Sequence, residues 1–195
     1  MTTVLLALHY QNEVLHEDGK IRVGLEANSP DRLRVIAAAS ELLAQARAAG
    51  VPIVHVRVEY RSDYADLKCN APILKAVKQL GAMQAGSWGA EFYAGLEPLP
   101  DHPTEFVVSH KRINAFYGSA LEVILQQLQA QRLVIAGVAT HSVVESTVRH
   151  AVDMGFEVLV PADACGAPPQ AHENALKSMG LIAQIQSRLQ AEDWT

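Results

Sequence analysis

Short, almost entirely apolar segments alternate with amphipathic segments along this chain, and the alternation constrains the fold more than any other feature. The apolar segments are the length of strands, as in Val4–Leu8, Val51–Val58 and Leu133–Gly137. Continuous apolar strands are typical of a parallel sheet whose two faces are both covered. The chain is therefore expected to fold as α/β, with helices packed on both sides of a central sheet.

The amphipathic segments carry the signals that begin and end helices. Pro30 and Asp31 open a segment with apolar residues at helical spacing, and Gly50 closes it. The pattern predicts strands at Val4–Leu8, Val51–Val58, Glu105–Ser109, Leu133–Gly137, Glu157–Pro161 and Leu181–Ile185. It predicts helices from Pro30 to Gly50, from Pro72 to Gly81, and at Leu121–Leu128, Ser142–Met154 and His172–Met179. This order indicates a three-layer α/β/α, Rossmann-like domain with a mainly parallel, about six-stranded sheet.

Composition narrows the classes of function. The 195 residues fit one domain, taken as 1–195, and 49% of them are hydrophobic. A net charge of −5 argues against binding to nucleic acid, which needs a basic face. No apolar run is long enough for a membrane span, and the start of the chain lacks the basic residues of a signal peptide. Cys69 and Cys165 are expected to be free thiols, so a cytoplasmic protein with a small-molecule partner is predicted.

The carboxyl ends of the predicted strands carry the candidate functional residues. His9, Arg57, Lys111 and the turn that follows Gly137 all lie at such ends. Ligands of open α/β sheets bind at this edge, so these sequence-distant residues are expected to share one site. The stretch from Tyr60 to Pro103 has little periodicity, and a long irregular loop in a compact domain is usually functional.

Three segments resemble the motifs of the isochorismatase-like (cysteine hydrolase) family. The family pattern Asp-x-Gln-Asn-Asp corresponds to Leu8-His9-Tyr10-Gln11-Asn12-Glu13, and Lys-x-x-x-Ser-Ala-Phe-x-Gly-Thr corresponds loosely to Lys111-Arg112-Ile113-Asn114-Ala115-Phe116-Tyr117-Gly118-Ser119. The nucleophile turn, Gly-Val-x-Thr-Asn/Asp-x-Cys-Val, corresponds to Gly137-Val138-Ala139-Thr140-His141-Ser142-Val143-Val144. The resemblance implies hydrolysis of a small amide or vinyl ether, and a non-proline cis peptide near Val138–Ala139.

The resemblance also shows what the chain lacks. Family amidases use an Asp, a Lys and a Cys, and the matched positions hold His9, Lys111 and Val143. Valine cannot form an acyl intermediate, so covalent catalysis is excluded at that position. Like-charge repulsion from Lys111 and partial burial are both expected to keep His9 neutral, and a neutral imidazole can act as a general base on water. Lys111 is expected to bind a carboxylate or to stabilise developing negative charge.

Other residues are predicted to contact the substrate or to support the site. Ser142 could replace the nucleophile, but as the first residue of a helix with Glu145 three positions on it also matches a capping box. The residues predicted to line the substrate site are Gln11, Arg57, Tyr60, Trp88, Phe116, Thr140, His141, Ser142 and Val143. For the aromatic residues, core or subunit-interface packing is an equally good interpretation.

Neither a metal nor a cofactor is predicted. Metal-binding relatives carry Asp-x-His after the second strand, where this chain has Glu59-Tyr60-Arg61, and arginine would repel a cation. The family resemblance further implies a homo-oligomer, a dimer or a tetramer. Two functions stay open: a hydrolase that works without cysteine through His9 and Lys111, and a catalytically inactive homologue that binds a small anionic ligand.

Overall fold

The sheet of this protein contains six parallel strands in the order β3-β2-β1-β4-β5-β6. The structure, a computed structural model, describes residues 1–194. The strands are β1 Thr3–Leu8, β2 Ile53–Val58, β3 Glu105–His110, β4 Arg132–Gly137, β5 Glu157–Pro161 and β6 Gln184–Gln186. The predicted fold class is confirmed, and every predicted strand is present, with β6 lying later than the predicted Leu181–Ile185.

In residues 1–194, six α-helices connect and cover the strands. They are α1 Asn12–Leu15, α2 Pro30–Ala48, α3 Pro72–Gln79, α4 Leu121–Gln127, α5 Glu145–Asp153 and α6 Pro169–Met179. Helix α2 begins as the sequence predicts, with Pro30 in its first turn and the hydroxyl of Ser29 accepting the backbone N–H of Asp31. The short helix α1 was not predicted, because four residues are too few to show a helical period.

The central strands are buried on both faces, which explains their uninterrupted apolar character. All six residues of β1 are buried, and β4 is buried from Leu133 to Gly137. The two strands pair in parallel, with Leu8 opposite Gly137. Gly137 is required there, because a Cβ atom would lie 2.2 Å from the carbonyl oxygen of Leu8. The close contact brings the carboxyl ends of β1 and β4 together.

The order of the strands determines where a ligand site can form. The chain continues from β1 to β2 and β3 on one side of the sheet, and to β4, β5 and β6 on the other. The reversal leaves a crevice beyond the carboxyl ends of β1 and β4, the usual position of ligands in this class of fold. Within residues 1–194 no helix is long and apolar enough to cross a bilayer.

Candidate functional site

A cavity of about 70 Å³ lies in this crevice. It is bounded by the ends of β1, β2 and β4, by α3, and by the segment after β3. Its lining residues are His9, Val14, Ile21, Val23, Val58, Tyr60, Ile73, Leu74, Val77, Met83, Arg112, Ile113, Val138, Ala139, Ser142 and Val143. Most of the wall is aliphatic, and Arg112 supplies a positive charge. None of these lining residues is acidic, so the cavity favours an apolar ligand without a positive charge.

The irregular segment between β2 and β3 forms one wall of the cavity. Tyr60, Leu74, Val77 and Met83 come from it and are all buried. The backbone N–H of Tyr60 donates to the carbonyl of Met83, so two distant parts of the segment are hydrogen-bonded to each other. The expectation that this long connection serves the site agrees with its position.

His9 is hydrogen-bonded to a second histidine, His110. Their Nε2 atoms are 2.5 Å apart, and the ring centroids are separated by 4.8 Å, so the rings meet nitrogen to nitrogen. His9 directly follows β1 and has a positive φ of 57°, while His110 is the last residue of β3. His9 is 9% exposed and His110 is fully buried. We refer to these two residues as the histidine pair.

The other ring nitrogen of His110 is directed at the protein backbone. Nδ1 of His110 lies 3.1 Å from the carbonyl oxygen of Asn114. Because a carbonyl oxygen only accepts, this nitrogen carries the proton of a neutral His110. Nε2 of His110 then accepts from Nε2–H of His9, and Nδ1 is the unprotonated nitrogen of a neutral His9.

Burial keeps both imidazoles neutral near pH 7. Desolvation, reinforced by the neighbouring His110, holds the pKa of His9 well below its ordinary value. For His110, desolvation lowers the pKa to about 4, and the charge of Lys111 lowers it further, against the raising effect of the Asn114 carbonyl. The expectation of a neutral His9 agrees with these directions. Burial, one of its two expected causes, is the larger one, and the repelling neighbour is His110 in place of Lys111.

Lys111 lies outside the cavity, and this corrects its predicted role. Its ammonium group donates to the backbone carbonyl of Glu59 and lies 3.1 Å from a carboxylate oxygen of Asp66. A lysine held in this way does not reach a ligand beside His9. The spacing of the family motif gives the reason. In the motif, three residues separate the lysine from Ser-Ala-Phe. When the Ala-Phe of the motif is aligned with Ala115-Phe116, the motif lysine corresponds to His110.

The turn after β4 carries Val143 at the position where the motif resemblance implies a cysteine. The Val138–Ala139 peptide is cis, as the resemblance implied. Val143 is 2% exposed and lines the cavity beside Ser142. A π-helical turn covers Thr140–Val144, and α5 begins only at Glu145. No side chain caps either element, so the capping-box interpretation of Ser142 is wrong.

Thr140 and His141, predicted to line the site, are directed elsewhere. Thr140 is fully buried, and its hydroxyl lies 2.8 Å from Nδ1 of His172, on α6. His141 is exposed to solvent and is absent from the lining. Their place in the family-like turn does not fix the direction of each side chain, and the π-helical turn directs these two away from the cavity.

Of the residues predicted to contact substrate outside this turn, only Tyr60 lines the cavity. Gln11 is fully buried. Its side-chain nitrogen donates to the backbone carbonyls of Val58 and Ala90, and its side-chain oxygen accepts the backbone N–H of Val58. Arg57 pairs with Glu59. Phe116 stacks on His150, and Trp88 packs edge-on against His16. Gln11 is thus a structural residue that ties β2 to the loop before β3.

Sequence reasoning missed His110 and Arg112. His110 was not among the predicted site residues, although the spacing of the second motif places it at the lysine position. Arg112 carries no family signal. Its guanidinium donates to the carbonyl of Lys68 and the side-chain oxygen of Asn70, both uncharged groups. Neither group neutralises the positive charge of Arg112, so this charge contributes to the electrostatic potential of the cavity that Arg112 lines.

The cysteines and metal-ligating side chains do not form a second reactive centre in residues 1–194. Burial raises the pKa of the Cys165 thiol to about 12, so this residue is an unreactive core group. Cys69 is half-buried, outside the cavity lining. No cluster of three or more His, Cys, Asp or Glu residues able to hold a metal ion occurs in this part of the chain.

Comparisons with known proteins agree with this geometry. The chain matches the model of the isochorismatase domain over residues 3–189. It is 29% identical to a ureidoacrylate amidohydrolase of Methylorubrum extorquens, over 91% of this chain and 76% of the relative. It is 28% identical to a probable inactive nicotinamidase of Arabidopsis thaliana, over 92% of this chain and 89% of the relative.

The structures of known proteins extend the comparison. An isochorismatase family protein from Desulfovibrio vulgaris superposes with a TM-score of 0.82, at 26% identity, over 94% of this chain and 93% of that one. The matched domain extends from β1 through β6 and contains the whole cavity. This chain belongs to the isochorismatase family.

Proposed function

We propose that this protein binds a small carboxylate with an apolar body in the cavity and does not catalyse thiol-dependent hydrolysis. One observation carries the proposal: His9, His110 and Val143 occupy the three positions that the family motifs give to Asp, Lys and Cys. His9 and Val143 line the same cavity, and His110 bonds His9 from behind. All three groups of the amidase mechanism are thus replaced within one site.

The state of His9 supports binding rather than catalysis. A general base needs a ring nitrogen within hydrogen-bond reach of a water molecule in the cavity. Nε2 of His9 is held by His110. Desolvation keeps the pKa of His9 well below its ordinary value, so its remaining nitrogen is a weak base.

The lining supports the chemical class of the ligand. Aliphatic side chains surround most of the cavity, so the ligand is expected to have an apolar body. Arg112 and the hydroxyl of Ser142 are suited to a carboxylate, and no lining residue is acidic. The volume of about 70 Å³ is roughly half that of an engineered apolar cavity that binds benzene, which favours a short aliphatic chain.

A cysteine-independent hydrolase is the second candidate. It is favoured by the presence of His9 and Ser142 in the wall of one cavity and by the similarity to an amidohydrolase. In that mechanism the hydrogen bond between His9 and His110 would break, and His9 would activate a water molecule for attack on a small amide or vinyl ether. It differs from the first candidate in predicting turnover that depends on His9.

A titration with isobutyrate tests the binding proposal, and isobutyramide serves as its uncharged analogue. NMR titration of the wild-type protein is expected to show saturable binding of isobutyrate and weaker binding of isobutyramide. Arg112→Gln should weaken isobutyrate binding about tenfold, by the loss of one charge-assisted contact. Lys111→Gln is the matched control, because it removes the adjacent positive charge outside the cavity. Equal effects of the two substitutions, or no binding of isobutyrate, would overturn the proposal.

A further inference from the structure

Strained backbone is concentrated in the wall of the cavity. Among residues 1–194, six residues other than glycine have a positive φ, and three of them, His9, Val23 and Met83, line the cavity. Left-handed backbone of this kind persists where the surrounding structure enforces it, and it clusters at ligand sites. Val23 is the clearest outlier of the three, because a side chain that branches at Cβ is disfavoured at a positive φ, whereas histidine tolerates it better.

Val23 occupies the first central position of a tight turn. The backbone N–H of Leu25 donates to the carbonyl of Arg22 over 2.9 Å, and the two residues between them, Val23 and Gly24, have φ values of 44° and 93°. Positive φ at both central positions is the pattern of a type I′ turn, which favours Asn, Asp or Gly at the first position and Gly at the second. Gly24 fits this preference and Val23 does not. The turn itself therefore gives no reason for a valine.

Contacts on two sides hold the turn in this place. A Cβ atom on Gly24 would lie 2.3 Å from Cγ of Pro168, so the turn packs directly against the segment that leads into α6. The guanidinium of Arg22 donates to the carbonyl of Glu17 over 2.6 Å, which ties the turn to the loop that follows α1. The side chain of Val23 is thus kept in the cavity wall by its neighbours.

The position of this side chain gives the valine a purpose that the turn lacks. Val23 is half-buried, so it contacts the cavity on one side and solvent on the other. The turn-favoured residues Asn and Asp would put a polar group into a mostly aliphatic wall, and Gly would leave a gap there. Only an apolar side chain closes the wall at this point without changing its character.

We propose that Val23 is a specificity-determining residue, whose side chain limits the length of the ligand's apolar body. This inference rests on the proposed function, because it requires that a carboxylate binds in the cavity. The strain of a β-branched residue in the turn is retained because the same side chain forms the boundary of the site.

A longer carboxylate tests the boundary. Isobutyrate and hexanoate are titrated into the wild-type protein and into Val23→Gly, with NMR detection. Glycine adopts a positive φ without strain, so this variant is expected to fold. The wild-type protein should prefer isobutyrate. In Val23→Gly the ratio of the two Kd values should move about tenfold toward hexanoate, from the burial of two more methylene groups.

Val23→Asn separates a role in specificity from a role in stability. Asparagine is close to valine in size and suits the turn, so the variant should raise the urea midpoint and still weaken isobutyrate binding about fivefold, through loss of apolar contact. Gln129→Asn is the matched control. Gln129 also has a positive φ, 51°, but it is exposed and outside the cavity lining. This control should raise the urea midpoint and leave isobutyrate binding unchanged.

The outcomes distinguish this inference from the proposed function. An unchanged ratio of the two Kd values in Val23→Gly, or unaltered isobutyrate binding in Val23→Asn, would overturn the inference and leave the proposed function standing. A lower urea midpoint together with weaker binding in Val23→Asn would also overturn it, because Val23 would then be an ordinary packing residue. Failure of isobutyrate to bind the wild-type protein would overturn the proposed function, and the inference with it.

Discussion

The buried histidines predict that this protein loses stability in mild acid. Burial lowers the pKa of His55 to about 4, against the raising effect of Glu105, and lowers that of His110 to about 4. The ordinary histidine pKa is 6.5, so between these values the unfolded chain binds protons that the folded chain does not. Stability is therefore full above pH 6.5 and falls as the pH decreases toward 4.

The size of the effect follows from the two pKa values. At about 1.4 kcal/mol per pKa unit, the full cost is about 3.5 kcal/mol for each residue. About 2 kcal/mol of this is expected between pH 7 and pH 5 for each, so together they should lower the free energy of unfolding by about 4 kcal/mol. Urea denaturation at several pH values measures this loss.

Two variants assign the effect to particular residues. His55→Gln and His110→Gln should each reduce the difference in unfolding free energy between pH 7 and pH 5 by about 2 kcal/mol, whatever their effect at pH 7. His102→Gln, at an exposed position, should leave the difference unchanged. A wild-type free energy of unfolding that is the same at both pH values would refute the assignment of these residues as buried neutral histidines.

Three further predictions follow from individual side chains. Gln11→Ala should lower the free energy of unfolding by about 2–4 kcal/mol, because it leaves three buried backbone groups without partners; a smaller loss in urea denaturation would contradict the structural role. Lys111→Ala should leave isobutyrate affinity within about twofold of wild type in an NMR titration, and a clear loss would restore Lys111 to the site. Iodoacetamide at neutral pH should label Cys69 and spare Cys165, as judged by peptide mass spectrometry, and labelling of Cys165 in the folded protein would show that its thiol is accessible.

The fold could be predicted because its signals are local and repeated. Apolar strands, Pro30 at the start of α2 and glycines at helix ends each depend on a few neighbouring residues. The boundaries of α5 could not be predicted, because a π-helical turn at Thr140–Val144 has no sequence signature distinct from that of an α-helix. β6 lies later than predicted because its three residues alternate too briefly to define a strand.

The site was only partly predictable, for a different reason. His9, Tyr60, Ser142 and Val143 were predicted to share a site and line one cavity in the structure, since strand ends converge at one edge of a parallel sheet. Lys111 was misplaced by one position. Adjacent residues near a strand end point to opposite faces, so a shift of one residue moved the site from His110 to a side chain that faces Asp66.

Gln11 illustrates a limit of motif reasoning. Gln11 is shared with a family motif and was interpreted as a substrate contact. In the structure its side-chain amide is hydrogen-bonded to backbone groups of Val58 and Ala90 instead. A buried glutamine has the same appearance in sequence whether it binds a ligand or satisfies the backbone. Only the positions of Val58 and Ala90, fixed by the tertiary fold, distinguish the two roles.

The measurement that tests the central claim most directly is hydrolysis by the wild-type protein. Isochorismate and a panel of small amides, including ureidoacrylate and nicotinamide, are incubated with it, and product release is compared with that of an active amidohydrolase of the same family. We expect no turnover above the rate without enzyme, because Val143 provides no nucleophile and burial makes His9 a weak base. Turnover that is lost in His9→Gln would contradict the claim and establish a hydrolase that works without cysteine.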